Sequence, residues 1–204
     1  MNIAIIGSGN VGGALAQQWI KAGHQVLIGA KFPLSDKNNS LLEKIGEEKF
    51  TTVEDAVNKS AVILIATPPT AILDLLDQVG DLSGKVVIDA TNSVSKAPDS
   101  YETVYHCLTD KTKAAVVKCF NSTGFENMLN PVYKGEGIDM FMAGDSTAAK
   151  DIAVQLAIDC GFENCYDFGK SDKVLLLEKF ALSWINLAIM QGHGRDIAFR
   201  VVRR

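Results

Sequence analysis

Six residues near the start of the chain, Gly7-Ser8-Gly9-Asn10-Val11-Gly12, have the spacing G-x-G-x-x-G. They directly follow an apolar run, Ile3 to Ile6, and lead into a helical pattern from Val11 to Ala22. In that setting each glycine has a chemical task. Gly7 permits a tight turn, Gly9 leaves the backbone open to a pyrophosphate, and Gly12 lets the helix pack close to its strand. The first turn of the helix then offers free N–H groups and a positive dipole end to phosphate charge. Ser8, Asn10 and Val11 complete this candidate cofactor-binding turn.

The next apolar run, Gln25 to Ile28, ends in Gly29-Ala30-Lys31. An NAD-specific fold of this kind places an Asp or Glu about 20 residues beyond the glycine turn, on the ribose 2′-hydroxyl. No carboxylate stands there; Asp36 comes only after Pro33. Ala30 and the cationic Lys31 suit a 2′-phosphate instead, so NADP(H) is the expected cofactor. The bland alternative is a solvated lysine with no strict preference.

Three further apolar runs end in small polar residues: Thr67-Pro68, Thr91-Asn92-Ser93 and Asn121-Ser122. In open α/β sheets ligands bind beyond the carboxyl ends of the strands. Thr67, Pro68 and Asn92 are therefore expected at the nicotinamide half, and Asn121 at the second substrate. His193, in the polar interruption Gln191 to Asp196, is another substrate-side candidate. Lys118, His106, His193 and Asp196 can all carry a proton, but no spacing singles one out, and no catalytic residue is assigned. No Ser/His/Asp set and no metal-ligand cluster is visible. The four cysteines, Cys107, Cys119, Cys160 and Cys165, form no C-x-x-C pair and read as reduced thiols.

The elements needed to hold these residues follow from the hydrophobic pattern. Short apolar runs alternate with helical segments, the mark of a parallel α/β sheet. Strands are expected at Ile3 to Ile6, Gln25 to Ile28, Phe50 to Thr52, Ala61 to Thr67, Lys85 to Thr91, Ala114 to Phe120, Ile138 to Ala143 and around Cys165 to Phe168. Helices are expected at Leu41 to Gly46, through Asn58 behind a Thr51/Glu54 capping box, at Thr70 to Val79, at Tyr101 to Thr109 and at Thr147 to Asp159. A last helical segment starts at Ser171-Asp172 and runs to the chain end, with a break at Gly192 to Gly194. The fold class is thus α/β, a Rossmann-type doubly wound, mainly parallel sheet. Residues 1–168 form the NADP-binding domain and residues 169–204 a C-terminal helical extension.

In the last helix Leu177, Ala181, Trp184 and Ala188 form one apolar stripe, and Leu175, Leu182, Ile185 and Ile189 another. A surface helix usually has one such stripe, so a homodimer, or cover from the chain's own domain, is expected. The 204 residues carry 47% hydrophobic and 22% charged residues, which suits a globular core and excludes a disordered chain. The net charge of −4 argues against a nucleic-acid partner. No apolar run approaches the ~18 residues of a membrane span, and the N-terminus lacks a signal-peptide pattern, so a cytoplasmic location is expected.

Taken with these residues, the chain resembles the NADPH-dependent deazaflavin (coenzyme F420) reductases. The resemblance lies in the opening Ile5-Ile-Gly-Ser-Gly-Asn-Val-Gly12, in Lys118-Cys-Phe-Asn121, and in the ending from Gln191-Gly-x-Gly-Arg-Asp through Phe199 to Arg203-Arg204. It implies hydride exchange between NADP(H) and a deazaflavin or flavin-like acceptor, and a homodimer built partly by the C-terminal helices. Many relatives carry Ser-Arg where this chain has Ala30-Lys31, which implies a weaker grip on the 2′-phosphate. Two readings stay open beside it: a flavin or imine reductase on the same scaffold, and a non-catalytic NADP(H)-binding redox sensor.

Overall fold

The structure, a computed structural model, describes residues 1–204. Its strands are β1 (Asn2–Ile6), β2 (Gln25–Gly29), β3 (Phe50–Thr51), β4 (Val62–Ile65), β5 (Val86–Asp89), β6 (Ala115–Cys119), β7 (Val132–Tyr133), β8 (Glu136–Gly137), β9 (Asp139–Ala143) and β10 (Asn164–Asp167). The helices are α1 (Asn10–Lys21), α2 (Asn39–Ile45), α3 (Val53–Asn58), α4 (Ile72–Val79), α5 (Val104–Lys111), α6 (Phe125–Leu129), α7 (Thr147–Asp159) and α8 (Val174–Ile185).

Eight strands form one sheet in the order β10-β9-β6-β5-β4-β1-β2-β3. From β3 to β6 all pairs are parallel, in the doubly wound order whose switch point lies between β1 and β4. The chain then reverses: β9 runs antiparallel to β6, and β10 parallel to β9. Register aligns Gly29, Ile6, Ile65, Asp89 and Lys118 in one row across the sheet. The residues just beyond that row therefore share one edge.

The inner strands β1, β4, β5, β6 and β9 are buried on both faces, and the faces separate with a period of two. Ile3, Ile5, Leu64 and Ile88 join Leu15 and Trp19 of α1 and Leu156 of α7. Ala4, Ile6, Ile63 and Val87 join the buried sides of α3, α4, α5 and α8. Trp19 is fully buried, and its indole N–H donates to the Leu156 carbonyl at 3.0 Å, so the ring's one polar atom is satisfied.

Three sequence expectations shift. The cap of α3 is Thr52, whose hydroxyl accepts from Asp55 N–H at 3.2 Å, because Thr51 is still paired in β3 opposite Gly29. A small hairpin, β7–β8, interrupts the approach to β9; its turn residues Lys134 and Gly135 have φ of 51° and 85°. The last helix does not reach the chain end. α8 passes into a π turn, Asn186–Met190, and the chain leaves it through Gly192 and Gly194 at φ of 72° and 85°.

Those last residues are fixed by partners far away in sequence. The Ile197 carbonyl accepts from Asn127 Nδ2 and Trp184 Nε1, and Val201 N–H donates to Asp139. Arg195 grips Glu126 through two nitrogens, with its guanidinium 5.4 Å from the ring centroids of Phe125 and Trp184. The stretch from Gln191 to the chain end is thus an extended strap over α6 and β9, not a helix. Arg200 pairs with Glu136 from that strap.

Candidate cofactor crevice and active site

The glycine turn sits where β1 ends, and its three glycines differ physically. At Gly7 φ is +118°, and a Cβ would lie 2.5 Å from the Ala66 carbonyl oxygen. At Gly12 a Cβ would lie 1.9 Å from the Gly7 carbonyl oxygen. Both are glycine because backbone meets backbone. Gly9 has no atom within 4 Å of such a Cβ, so nothing in the fold itself requires glycine there. It is the open position of the cradle.

Gly9 is also the N-cap of α1, with no side-chain cap and no acidic residue in the first turn. The first internal bond of the helix is Gly13 N–H to the Gly9 carbonyl, at 2.8 Å. The preceding N–H groups, including those of Asn10 and Val11, remain for an outside acceptor. Ser8 is less free: its hydroxyl donates to Asn38 Oδ1 at 2.6 Å, and Asn38 in turn donates to the Phe32 and Pro33 carbonyls. This buried asparagine pins the loop after β2 to the glycine turn.

A cleft of about 360 Å³ brings together Gly7, Ser8, Ala30, Lys31 and Thr67, and adds Asp74 and Gln78 of α4 on its other wall. A second of about 240 Å³ lies beside Ser8, Gly9 and Asn10, near Lys37 and Lys44. A wider hollow of about 1050 Å³ by Phe32–Ser35 reaches none of the glycine-turn residues. Lys31 is exposed, its ammonium 5.8 Å from the Phe32 ring centroid.

Beyond β4, β5 and β6 the polar residues meet. Asn92 Nδ2 donates to the Asn121 carbonyl at 3.1 Å, and Asn121 Nδ2 donates to Asn92 Oδ1 at 3.2 Å. These two candidates are thus stitched to each other. Thr67 Oγ1, Ser93 Oγ and Asn121 Oδ1 are buried without a partner in the chain. Such atoms cost free energy unless a ligand or water meets them. Phe120, buried against Trp19, holds φ of 60°, a costly conformation for a bulky residue that turns the chain sharply out of β6.

Under this edge lies a charge cluster missed in the sequence. Lys118 is fully buried; its ammonium is 3.1 Å from Asp89 Oδ2, 2.7 Å from Glu178 Oε1 and 2.5 Å from the Thr91 carbonyl. Glu178 comes from the inner stripe of α8, and its Oε2 accepts Ser93 N–H at 2.8 Å. Burial pushes the Glu178 carboxyl above its usual range, although the Lys118 ammonium pulls the other way. The signal in the sequence was a single acid on an otherwise apolar helical stripe.

The remaining proton carriers are elsewhere or occupied. Lys118 has three acceptors around its ammonium. His106 Nδ1 lies 2.8 Å from the Thr103 hydroxyl at the cap of α5. His193 is exposed beyond the π turn, with its N–H on the Leu187 carbonyl, and is not brought to the other candidates. The cysteines are free; burial pushes Cys160 up to about 12, far from thiolate reactivity.

Residues 2–93 match the family model described as NADP oxidoreductase, coenzyme F420-dependent. A reductive aminase from Aspergillus terreus, solved in complex with NADPH, gives a TM-score of 0.67 at 18% identity, covering 94% of this chain and 63% of its own. A structure from Arthrobacter sp. FB24, provisionally described as an F420-dependent NADP reductase, superposes with a TM-score of 0.87 at 23% identity, covering 100% of both chains. A hypothetical protein from Sinorhizobium meliloti gives 0.73 at 24% identity, covering 100% of this chain and 96% of its own. An imine reductase from Streptomyces aurantiacus gives 0.69 at 14% identity; the match covers 94% of this chain and 64% of that longer one. No helix is long and apolar enough to cross a membrane.

Proposed function

We propose that the protein is an NADP(H)-dependent oxidoreductase that exchanges hydride between NADP(H) and a deazaflavin or flavin-like acceptor. One observation carries the reading. An uncapped, glycine-opened helix start lies on the same sheet edge as three buried, unpartnered polar atoms, Thr67 Oγ1, Ser93 Oγ and Asn121 Oδ1. The first feature suits a pyrophosphate and the second a polar ring system.

On this reading the N–H groups of the first turn of α1 hold the pyrophosphate, with Gly9 giving the room. Lys31, beside Ala30, faces the 2′-phosphate. Thr67, Pro68 and Asn92 border the nicotinamide half, and Asn121 the acceptor. Bound NADPH supplies the hydride. The chain's part is to orient two planar rings and exclude water, which is catalysis by proximity. A flavin-type ring delocalises the charge it gains and exchanges its nitrogen proton with water, so no protein acid is required.

The exposed stripe of α8 and the π turn, including Leu182, Ile189 and Met190, supports a homodimer with the Rossmann portion (1–168) facing outward from the C-terminal extension (169–204). An acidic protein with no membrane-spanning helix fits a cytoplasmic setting. The structural likeness to imine reductases keeps an imine acceptor as the second reading.

The deciding experiment is NADPH oxidation across coenzyme F420, free flavins, quinones and cyclic imines. Turnover with the deazaflavin or a flavin is expected. Turnover only with imines favours the second reading, and tight NADPH binding with no turnover favours a redox sensor.

A further inference from the structure

Burying three ionised groups is a poor way to fasten a helix. Apolar side chains of similar size hold an element as well or better, because desolvation offsets most of the Coulomb gain. α8 already has Val174, Leu177, Ala181 and Trp184 buried beneath it. Glu178 therefore needs a reason other than anchorage. The geometry supplies one, because a carboxylate can accept from two different donors at once and an amide cannot do so with both of its ends.

We propose that Glu178 is a positioning residue for the nicotinamide half of the cofactor. One of its oxygens accepts Ser93 N–H at 2.8 Å, and the other lies 2.7 Å from the Lys118 ammonium. Lys118 donates to the Thr91 carbonyl at 2.5 Å. Asp89 Oδ1 accepts from Thr91 N–H at 2.9 Å and from its hydroxyl at 2.7 Å. The segment Thr91–Ser93 is thus gripped at both ends, and Glu178 is the one member of the grip that comes from outside β5 and β6. Between the held ends stands Asn92, locked to Asn121, and beside it the unpartnered Ser93 hydroxyl. The segment lies past the C-terminal end of β5, on the side of the switch point opposite Lys31 and β2. It can touch only the nicotinamide side of a dinucleotide whose pyrophosphate rests on Gly9.

This inference rests on the NADP(H) reading, and two ligands separate the two claims. NADPH spans the whole crevice, whereas 2′,5′-ADP shares its adenosine half and 2′-phosphate and has no nicotinamide. Dissociation constants of both are measured for the unmutated protein, for Glu178→Gln, which can satisfy Ser93 or Lys118 but not both, and for Glu178→Asp, which is one methylene too short. In both variants NADPH should bind about tenfold more weakly, while 2′,5′-ADP stays within about twofold. A role in stability alone would weaken both ligands together or neither, and either pattern overturns the proposal. If the glutamine variant does not fold, the aspartate variant, which keeps the charge beside Lys118, gives the same comparison. An unmutated protein that binds 2′,5′-ADP but no tighter to NADPH would overturn the proposal and leave the cofactor reading standing. One that binds neither would overturn both.

Discussion

Lys118 on β6 and Glu178 on α8 meet 2.7 Å apart with both side chains withdrawn from water. The C-terminal helix is therefore tied by charge to the strand ends where ligands of this fold collect. Lys118 is a poor candidate for proton transfer in consequence, since its ammonium is surrounded by acceptors. Lys118→Ala should lower stability by about 3–5 kcal/mol, because it leaves two buried carboxylates without their cation. Urea unfolding measures this. A variant as stable as the parent would mean the pair is not formed in solution.

His106→Ala and His193→Ala should each reduce the maximal rate of NADPH oxidation less than about tenfold, short of the 10²–10⁴ that a lost acid or base costs. A thousandfold loss at either, with NADPH binding intact, would require a substrate that takes a proton from the protein.

Lys31→Glu should reverse cofactor choice. The carboxylate would repel a 2′-phosphate and accept a ribose hydroxyl, so NADPH should bind about tenfold or more weakly and NADH no worse. Fluorescence titration with the two cofactors checks it. Equal affinities in the unmutated protein would remove Lys31 from the explanation.

Gly9→Val and Gly12→Ala should part company. Gly9 has φ of −70° and open space around its Cβ direction, so valine there should leave the melting temperature nearly unchanged and abolish NADPH binding. Gly12→Ala presses a methyl onto the Gly7 carbonyl and should unfold the protein at lower temperature. Calorimetry and titration on both variants decide; a valine variant that binds normally would make Gly9 a bystander.

Acid stability should report Glu178. Burial raises its folded-state pKa above the ordinary 4.5. Between those two values the folded state binds more protons than the unfolded one, so this group's contribution is full below about pH 4.5 and declines as pH rises through the raised value. Asp89 and Lys118 face it throughout. The stability difference between the parent and Glu178→Gln should therefore shrink from pH 4.5 upward, as denaturation at several pH values would measure. A difference that grows with pH would mean that Lys118 outweighs burial.

Sedimentation should show a species near twice 22.0 kDa. Ile189→Glu, in the exposed π turn that follows α8, should return it to one chain. A single-chain species in the parent at micromolar concentration would refute the dimer.

What was legible in the sequence was local. The glycine turn, the strand ends and the helix after Ser146 are each specified by residues close together in the chain, and they appear where the pattern puts them. The cap at Thr52 was misplaced by one residue because strand pairing with Gly29, not the local motif, decides where β3 stops. Glu178 passes in the sequence for a lone charge in an apolar stretch, because its partners come from β6 and the segment after β5, far away in sequence. The strap from Gln191 onward looked helical for the same reason. Its bonds run to Glu126, Asn127 and Asp139, and no window of sequence contains both sides.

The reversal of the chain after β6 also sets a size. Past that strand the sheet presents the opposite ends of β9 and β10, so the row of carboxyl ends stops there. On the side of the glycine turn that carries Thr67, Asn92 and Asn121, only β4, β5 and β6 contribute. Three strands at the usual spacing give a bench about 10 Å across. Two flat rings can lie one above the other on such a bench, whereas two rings side by side would overhang it.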